Sequence, residues 1–453
     1  MRVVLVSNGH GARQFATDLC NDHDVSVVHE GESGRADLDK LDVEVIEGTG
    51  NDVDALRRAG TGQADWFIAC TNSDEMNILA CLATRREGSA ETVCFVSKEQ
   101  YFRTFASTDS GHALGAPDLG IDHLVWPARM LADKIERILA VPGATDVGSF
   151  ARGQIRLLEY RLPEGLPLIG RRLADLRSLP PGVLITGVRR GEDWFVPRGD
   201  TILRADDRVL FMGRAGAMRE LAAWFNKRLG EESSDAIVLI GGGSVGERLA
   251  KRLEGSAGMH VKLIEANLER CDHLAQILKH TLVLHGDGCD LDLLESESVR
   301  YTDALVAVTD SDEKNLLASL LGRQLGIPKV ITRVTSAANR RVFERVGIDV
   351  PLSARGAATE EVLHLVRHKE IDLLATLGEG KGHGEVLEVS VPEEFTPTAL
   401  QELKMPPDSI VAAVIRKGEA LVPGGATLIG PGDRCMVICK VERVAEVLQA
   451  FLG

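Results

Sequence analysis

Apolar runs of strand length recur along the chain, and each gives way to a turn and then to a segment with apolar residues every three or four positions. VVLV, DVSVVHE, VEVIE, WFIAC and VCFVS follow this order near the N-terminus, and IVLIGG, VKLIE, TLVLH, ALVAVT and KVITRV repeat it from Ile237 onward. Such runs mark strands covered on both faces, and their alternation with helices marks parallel pairing through crossovers. Each set leads into an amphipathic helical bridge, WPARMLADKIERILAV and LSARGAATEEVLHLVRHKEIDLLATL. A bridge of this kind serves either association or the cover of its own sheet. Beyond each bridge the period turns alternating: a strand, a proline-containing link, a hairpin through Arg-Arg-Gly-Glu or Arg-Lys-Gly-Glu, a turn at Asp207 or Asp433, a buried strand and a last helix.

The expected organisation is therefore two α/β lobes at residues 1–122 and 236–349, bridges at 123–150 and 350–378, and small α+β lobes at 151–226 and 379–453, with 227–235 as a charged linker. The small lobes match at Pro163 and Pro392, Asp207 and Asp433, and Phe225 and Phe451. At roughly 70 residues each is near the lower limit for a stable core, so the two are expected to pair.

The strongest chemical signal lies between Ile237 and Glu265. An apolar strand enters Gly241, Gly243 and Gly246 in G-x-G-x-x-G spacing, a helical segment follows, and a second strand ends at Glu265, nineteen residues past Gly246. This is the fingerprint of a Rossmann-type, doubly wound parallel sheet: Gly241 allows the tight turn, Gly243 admits a pyrophosphate to the backbone, and Gly246 lets the helix lie on the strand. Glu265 is placed to accept hydrogen bonds from a ribose diol, and its charge disfavours a 2′-phosphate. NAD or another adenine nucleotide is expected over NADP.

The first segment repeats the design less completely. Ser7, Gly9 and Ala12 fall at the three glycine positions, His29 at the acid, and Glu30 immediately after. The lobe is either a second nucleotide site, with Glu30 on the ribose, or a copy retained for its shape. Both halves carry Thr-x-Ser-Asp-Glu-x-Asn, Thr71 to Asn77 and Thr309 to Asn315, 238 positions apart, so the chain is an internal duplication. Thr309 and Asp310 close a strand at the carboxyl edge of the sheet, where open α/β sheets bind ligands. Asp312 and Glu313 follow, either as first-turn acids satisfying a helix start or as ligand contacts. Asn315 is the candidate for orienting a polar ligand group. Arg333, at the end of KVITRV, is a cation within reach of phosphates, and Val96 is its apparent counterpart.

Composition narrows the function. Among 453 residues, 44% are hydrophobic and 26% charged, ordinary for a globular protein, and a net charge of -15 argues against nucleic acid as partner. No apolar run reaches the length of a membrane span and the N-terminus is unlike a signal peptide, so a cytoplasmic location is expected. The eight cysteines form no Cys-x-x-Cys pair and no zinc-spaced cluster, which implies buried, reduced thiols and no metal site. His10, His285 and His364 are isolated. An NAD-dependent oxidoreductase, the rival reading, needs an acid–base group facing the nicotinamide, and no catalytic constellation is visible.

The glycine fingerprint, the acid after the second strand, Gly286-Asp287 after the third and the Thr-x-Ser-Asp-Glu-x-Asn motif after the fourth together resemble the RCK or KTN domain, the regulator of potassium conductance. Two tandem copies with their C-terminal companions are similar, over essentially the whole chain, to the TrkA family of peripheral regulatory subunits of Trk potassium-uptake systems. The resemblance implies a non-enzymatic subunit that binds NAD or NADH, and ATP or ADP. It implies a homo-oligomeric ring, dimer or tetramer, on the cytoplasmic face of the inner membrane, where it controls a membrane-embedded potassium channel or transporter subunit. Regulators of potassium efflux or cation/proton antiporters share these lobes and form the alternative. The resemblance assigns the phosphate loop to Gly241, Gly243, Ser244, Val245 and Gly246, the ribose to Glu265, an adenine-side contact to Asp287, and the middle of the ligand to Thr309, Asp310 and Arg333. In the first lobe the matching places are Ser7, Asn8, Gly9, His10, Gly11, Glu30, Thr71 and Asn72. Ser7, Ala12, His29 and Val96 depart from the pattern, so an asymmetric pair of sites is expected.

Overall fold

The uninterrupted apolar runs become parallel strands in both halves of the chain. The computed structural model describes residues 1–8, 15–17, 19–20, 23–31, 35–105, 116, 119–176, 179–191, 193–229, 235–256, 258–335, 337–366, 371–377 and 383–452. In the first Rossmann lobe, β1 (Arg2–Ser7), β2 (Asp24–His29), β3 (Glu44–Glu47), β4 (Trp66–Ala69), β5 (Glu91–Phe95) and β6 (His123–Val125) form a sheet in the order β3-β2-β1-β4-β5-β6. The first small lobe is an antiparallel sheet of β7 (Ala144–Phe150), β8 (Ile155–Arg161), β9 (Val183–Arg190), β10 (Asp193–Phe195) and β11 (Arg208–Arg214), ordered β10-β9-β11-β8-β7.

The second half repeats both. Its Rossmann sheet, β12 (Ala236–Ile240), β13 (His260–Glu265), β14 (Leu282–His285), β15 (Ala304–Ala307), β16 (Lys329–Arg333) and β17 (Val350–Leu352), runs β14-β13-β12-β15-β16-β17. Its small lobe contains β18 (Ile371–Leu377), β19 (Gly384–Ser390), β21 (Ser409–Arg416), β22 (Glu419–Leu421) and β24 (Arg434–Lys440), ordered β18-β19-β24-β21-β22, with β20 (Thr398–Ala399) and β23 (Leu428–Ile429) paired beside it. Each Rossmann sheet reverses its winding between its first and fourth strands, which opens a crevice at the carboxyl edge.

The bridges are shorter than their sequence pattern suggests. The helices Pro127–Leu139 and Ala354–Val366 end early, and residues 144–150 and 371–377 are edge strands of the small lobes. Ile371 pairs with Val389 and Val147 with Leu158, so sheet context overrides apolar spacings that read as helix in isolation. The Rossmann lobes likewise extend past residues 122 and 349 to include β6 and β17.

The two bridges divide differently between the lobes. The chain divides into two units, Met1–Ala132 with Leu352–Val366, and Asp133–Pro351 with Arg367–Gly453. The helix that follows the second Rossmann lobe thus belongs with the first. In the other unit, the last part of helix Pro127–Leu139 is fastened to the second lobe: Arg252 Nε donates to Glu136 Oε2 at 2.5 Å, and Lys329 Nζ to the carbonyls of Ile138 and Val141 at 3.0 and 2.8 Å.

The two small lobes pack through one apolar interior, where Ile155, Leu157, Trp194 and Met212 meet Val386, Ala413, Ile415 and Ile438. Gln154 ties them at the rim, donating to the Gly418 carbonyl at 2.7 Å and accepting from the Ala420 N–H at 2.8 Å. The expected pairing of the small lobes therefore occurs within one chain. Each lobe is braced by the same fork: Arg190 grips buried Asp207 at 2.8 and 2.7 Å, and Arg416 grips buried Asp433 at 2.8 and 2.6 Å. Asp433 also accepts from the Gly430 N–H at 2.9 Å, closing the turn before β24. Arg416 holds the Asp433 carboxyl below its ordinary value of 3.8, against the upward push of burial.

Because the folded value is depressed, the stabilisation from Asp433 is present above about pH 3.8 and lost as pH falls through the lowered value. Asp433→Asn should cost about 1–3 kcal/mol in denaturant unfolding at neutral pH and should flatten that acid dependence. Equal stability of variant and wild type at pH 7 would contradict this account of the fork.

Candidate functional site

The second crevice is built around three consecutive glycines after β12. Gly241 adopts a φ of 101°, and a β-carbon there would lie 2.9 Å from the Thr309 nitrogen, so the loop is pressed flat on the end of β15. At Gly246, one turn into the helix Ser244–Leu253, a β-carbon would run into the Gly241 carbonyl oxygen. Gly243 differs: its extended backbone starts the helix without a side-chain cap, and a β-carbon would meet nothing within 4 Å. The packing thus closes on Gly241 and Gly246 and leaves open space above Gly243, next to the uncapped first-turn N–H groups. Ser244 is exposed, whereas the Val245 side chain is buried at 2%, so only its backbone faces the loop.

Glu265 turns toward this loop. Its Oε2 accepts from the Gly242 N–H at 2.6 Å and its Oε1 from the Asn267 N–H at 2.8 Å. Arg270, a residue without a motif to mark it, donates from Nε to the Gly242 carbonyl at 2.7 Å. Asp287 lies half-exposed in the turn after β14; the Cys289 N–H at 3.0 Å and the Lys314 ammonium at 3.6 Å hold its carboxyl below the usual range. Arg333 donates to Asp310 at 2.6 Å and reaches the Thr309 carbonyl at 3.4 Å, placing a paired cation beside the loop. His285 rests against the Ala266 carbonyl at 3.2 Å. Glu265 and Arg333 end β13 and β16, and Asp287, Thr309 and Asp310 fall in the turns after β14 and β15, all at one edge of the sheet.

One expectation fails here. Asn315 cannot orient a ligand, because it is fully buried and its amide is consumed: Oδ1 accepts from the Thr309 N–H and hydroxyl at 2.9 and 2.7 Å, and Nδ2 donates to the carbonyls of Thr309 and Arg333, both at 3.0 Å. It is a clip that joins the ends of β15 and β16. Asp312 sits in the first turn of the helix Asp312–Gln324, as the acid pair suggests, but it is not spare for a ligand: it accepts from the Thr335 N–H and hydroxyl and from Asn339, anchoring the loop after β16. Glu313 accepts from the Ser311 hydroxyl at 2.8 Å.

The first lobe keeps the clip and changes other residues at the same sheet edge. Asn77 bonds Thr71 and the Phe95 carbonyl at 2.9 Å as Asn315 bonds Thr309 and the Arg333 carbonyl. The structural counterpart of Arg333 is therefore Phe95, not Val96, and Phe95 is buried edge-on against Phe15 with centroids 5.4 Å apart. The Gly48 N–H bonds the His29 carbonyl at 3.2 Å as Gly286 bonds Glu265 at 2.9 Å, which fixes His29 in the acid's position. His29 and Ser7 are buried, and Glu30 is exposed one step beyond the strand. Asn8 accepts from the Asn72 N–H at 2.9 Å. Gly9, His10, Gly11 and Ala12 lie outside the described residues, as does the His364 side chain.

All eight cysteines are free thiols, and burial pushes those of Cys435 and Cys439 up to about 12. Among the described residues no group of three His, Cys, Asp or Glu side chains could hold a metal ion.

Comparison with known proteins gives the family and the fold. The TrkA-N domain model matches residues 3–125 and 237–354, and the TrkA-C domain model matches residues 157–226. The chain is 34% identical over 452 residues to a Trk system potassium uptake protein TrkA homolog from Archaeoglobus fulgidus, covering all of both chains. It is 30% identical over 464 residues to Trk system potassium uptake protein TrkA from Halomonas elongata, covering all of this chain and 98% of the relative. Among solved structures, the GsuK channel bound to NAD superposes with a TM-score of 0.60 at 17% identity, covering all of this chain and 79% of that one, a likeness of fold.

The contrast between glycines yields a stability test that needs no ligand. Gly246→Ala should destabilise the second Rossmann lobe by about 1–3 kcal/mol, whereas Gly243→Ala should stay within about 0.5 kcal/mol of wild type. Denaturant unfolding that ranked the two variants the other way would contradict the described loop.

Proposed function

The chain belongs to the TrkA family, and from that premise we propose that it is a nucleotide-binding regulatory subunit that gates a membrane-embedded Trk-type potassium-uptake transporter. The observation that carries the ligand is the open space over Gly243 beside uncapped helix N–H groups, bounded by the Glu265 carboxylate. An adenosine diphosphate moiety fits that set: phosphates at Gly243, Ser244 and Val245, ribose at Glu265, and the adenine side toward Asp287. NAD or NADH is the proposed ligand, with ATP and ADP as competitors for the same cradle. A 2′-phosphate would meet Glu265, which disfavours NADP. Arg333 could exchange Asp310 for the phosphates or for the distal half of a dinucleotide.

The first lobe binds more weakly or takes a different ligand, because His29 stands in the acid's place and Phe95 in the arginine's. Among the described residues no helix is long and apolar enough to cross a membrane, so the pore would belong to a separate partner on whose cytoplasmic face this chain sits. Leu317 and Leu320 on the helix Asp312–Gln324, with Val342 and Val346 at the helix Ala337–Arg345, are exposed apolar residues at helical spacing. They favour self-association into a ring.

The protein performs no bond chemistry on this reading. Bound nucleotide shifts the equilibrium between two ring shapes by the difference in its affinity for them, and that difference is all it can transmit to the transporter.

Calorimetry with NAD, NADH, ATP and ADP tests the ligand. Wild type should bind at least one of them, Glu265→Ala should weaken binding by about tenfold to a hundredfold, and Gly243→Ala should weaken it without lowering stability. Potassium uptake reconstituted with the membrane subunit should respond to the same ligand. Binding that leaves transport unchanged would reject the regulatory role, and turnover of NADH with an added substrate would favour an oxidoreductase.

A further inference from the structure

We propose that Arg270 is a positioning residue that sets the orientation of the phosphate-facing peptide in the second lobe, an inference that rests on that lobe binding a nucleotide. The need arises from the sequence itself. Gly241, Gly242 and Gly243 are consecutive, and with no β-carbons their peptide planes can rotate at little steric cost. A loop that bound phosphate only in one of several orientations would lose affinity in proportion to the time spent in the others.

The end of β13 and the helix that follows it remove that freedom by holding Gly242 at both ends. Glu265 accepts from its N–H at 2.6 Å, and Arg270 Nε donates to its carbonyl at 2.7 Å. The described chain has no cis peptide bonds, so the carbonyl of Gly242 and the N–H of Gly243 point in opposite directions. Gripping the carbonyl on the Arg270 side sends the Gly243 N–H away from it. Leu274, one turn beyond Arg270 on the helix Leu268–Ile277, fills the place a β-carbon of Gly242 would take, so the arginine and leucine back the loop together. A flipped peptide would present a carbonyl oxygen where a phosphate should sit.

Arg270 has a second partner with the same consequence. Its Nη2 pairs with Glu247, in the first turn of the helix Ser244–Leu253, and Lys251 pairs with the other oxygen. An acid there suits the helix dipole but repels a diphosphate. Burial pushes the Glu247 carboxyl up, and Lys251 and Arg270 together bring it below the usual range, so it is ionised and its charge must be offset by these partners. His273 Nε2 also faces Glu247 at 3.9 Å. In the first lobe Asn8 stands at the position of Gly242 and uses its own side chain to hold Asn72, a different solution.

The test uses the full chain as wild type, Arg270→Ala, Arg270→Lys and the double variant Arg270→Ala with Glu247→Gln. Two readouts are taken: amide hydrogen exchange of the peptide spanning residues 241–247 without nucleotide, and the dissociation constant for NAD. Arg270→Ala should speed loop exchange and weaken NAD binding about tenfold or more, as expected for loss of a hydrogen bond from a charged group. Arg270→Lys, a point charge without the planar fork, should keep the fold and fall between the two. The double variant should stay weak, because removing the acid does not restore the carbonyl's anchor; full recovery would reduce Arg270 to a counter-ion and overturn the proposal. Loop exchange and NAD affinity both within twofold of wild type in Arg270→Ala would overturn it too. Accelerated loop exchange in Arg270→Ala, with no NAD affinity even in wild type, would support the clamp and reject the nucleotide reading.

Discussion

The contact on which the second Rossmann lobe depends is the close approach of the helix Ser244–Leu253 to the loop it leaves, where Gly246 lies against the Gly241 carbonyl with no room for a side chain. That approach points the first-turn N–H groups into the crevice between β12 and β15. Gly241 in turn lies on Thr309, and Thr309 is held by Asn315, which also holds the end of β16. The edge of the sheet is therefore one connected set of backbone groups. Its shape is fixed by packing and by buried amides, and the side chains of Glu265 and Arg333 are mounted on it.

The two halves separate what a fold needs from what a ligand needs. Both keep the Thr–Asn clip, the anchoring aspartate at Asp74 or Asp312, and the Arg–Asp fork of the small lobes. These bonds are buried or satisfy backbone groups, so losing one partner leaves the other stranded. The positions that differ lie at the carboxyl edge of the sheet: His29 for Glu265, Phe95 for Arg333 and Asn8 for Gly242. Duplication preserved the scaffold twice and left one crevice free to change.

Much of this was legible in the residues. The glycine spacing, the acid at Glu265, the repeat of the Thr-x-Ser-Asp-Glu-x-Asn motif and the change of period beyond each bridge located the lobes and one crevice. What escaped depends on three-dimensional partners. Asn315 reads as a polar residue beside a ligand edge, and only its burial shows that both ends of its amide are spoken for. Val96 looked like the mate of Arg333 because apolar runs align loosely; the carbonyl that accepts from Asn77 belongs to Phe95. IDLLATL carries helical spacing yet becomes β18, since an edge strand is specified by its neighbour. The grouping of Leu352–Val366 with the first Rossmann lobe and the grip of Arg270 on Gly242 leave no periodic trace at all.

The central claim is that one crevice per chain, the one lined by Gly243 and Glu265, is a working dinucleotide site and its duplicate is not its equal. Counting bound NAD by native mass spectrometry tests this most directly. The account predicts a single tightly held molecule per chain across a titration, with any second appearing only at much higher concentration. Two molecules bound with equal affinity, or none at any concentration, would contradict it.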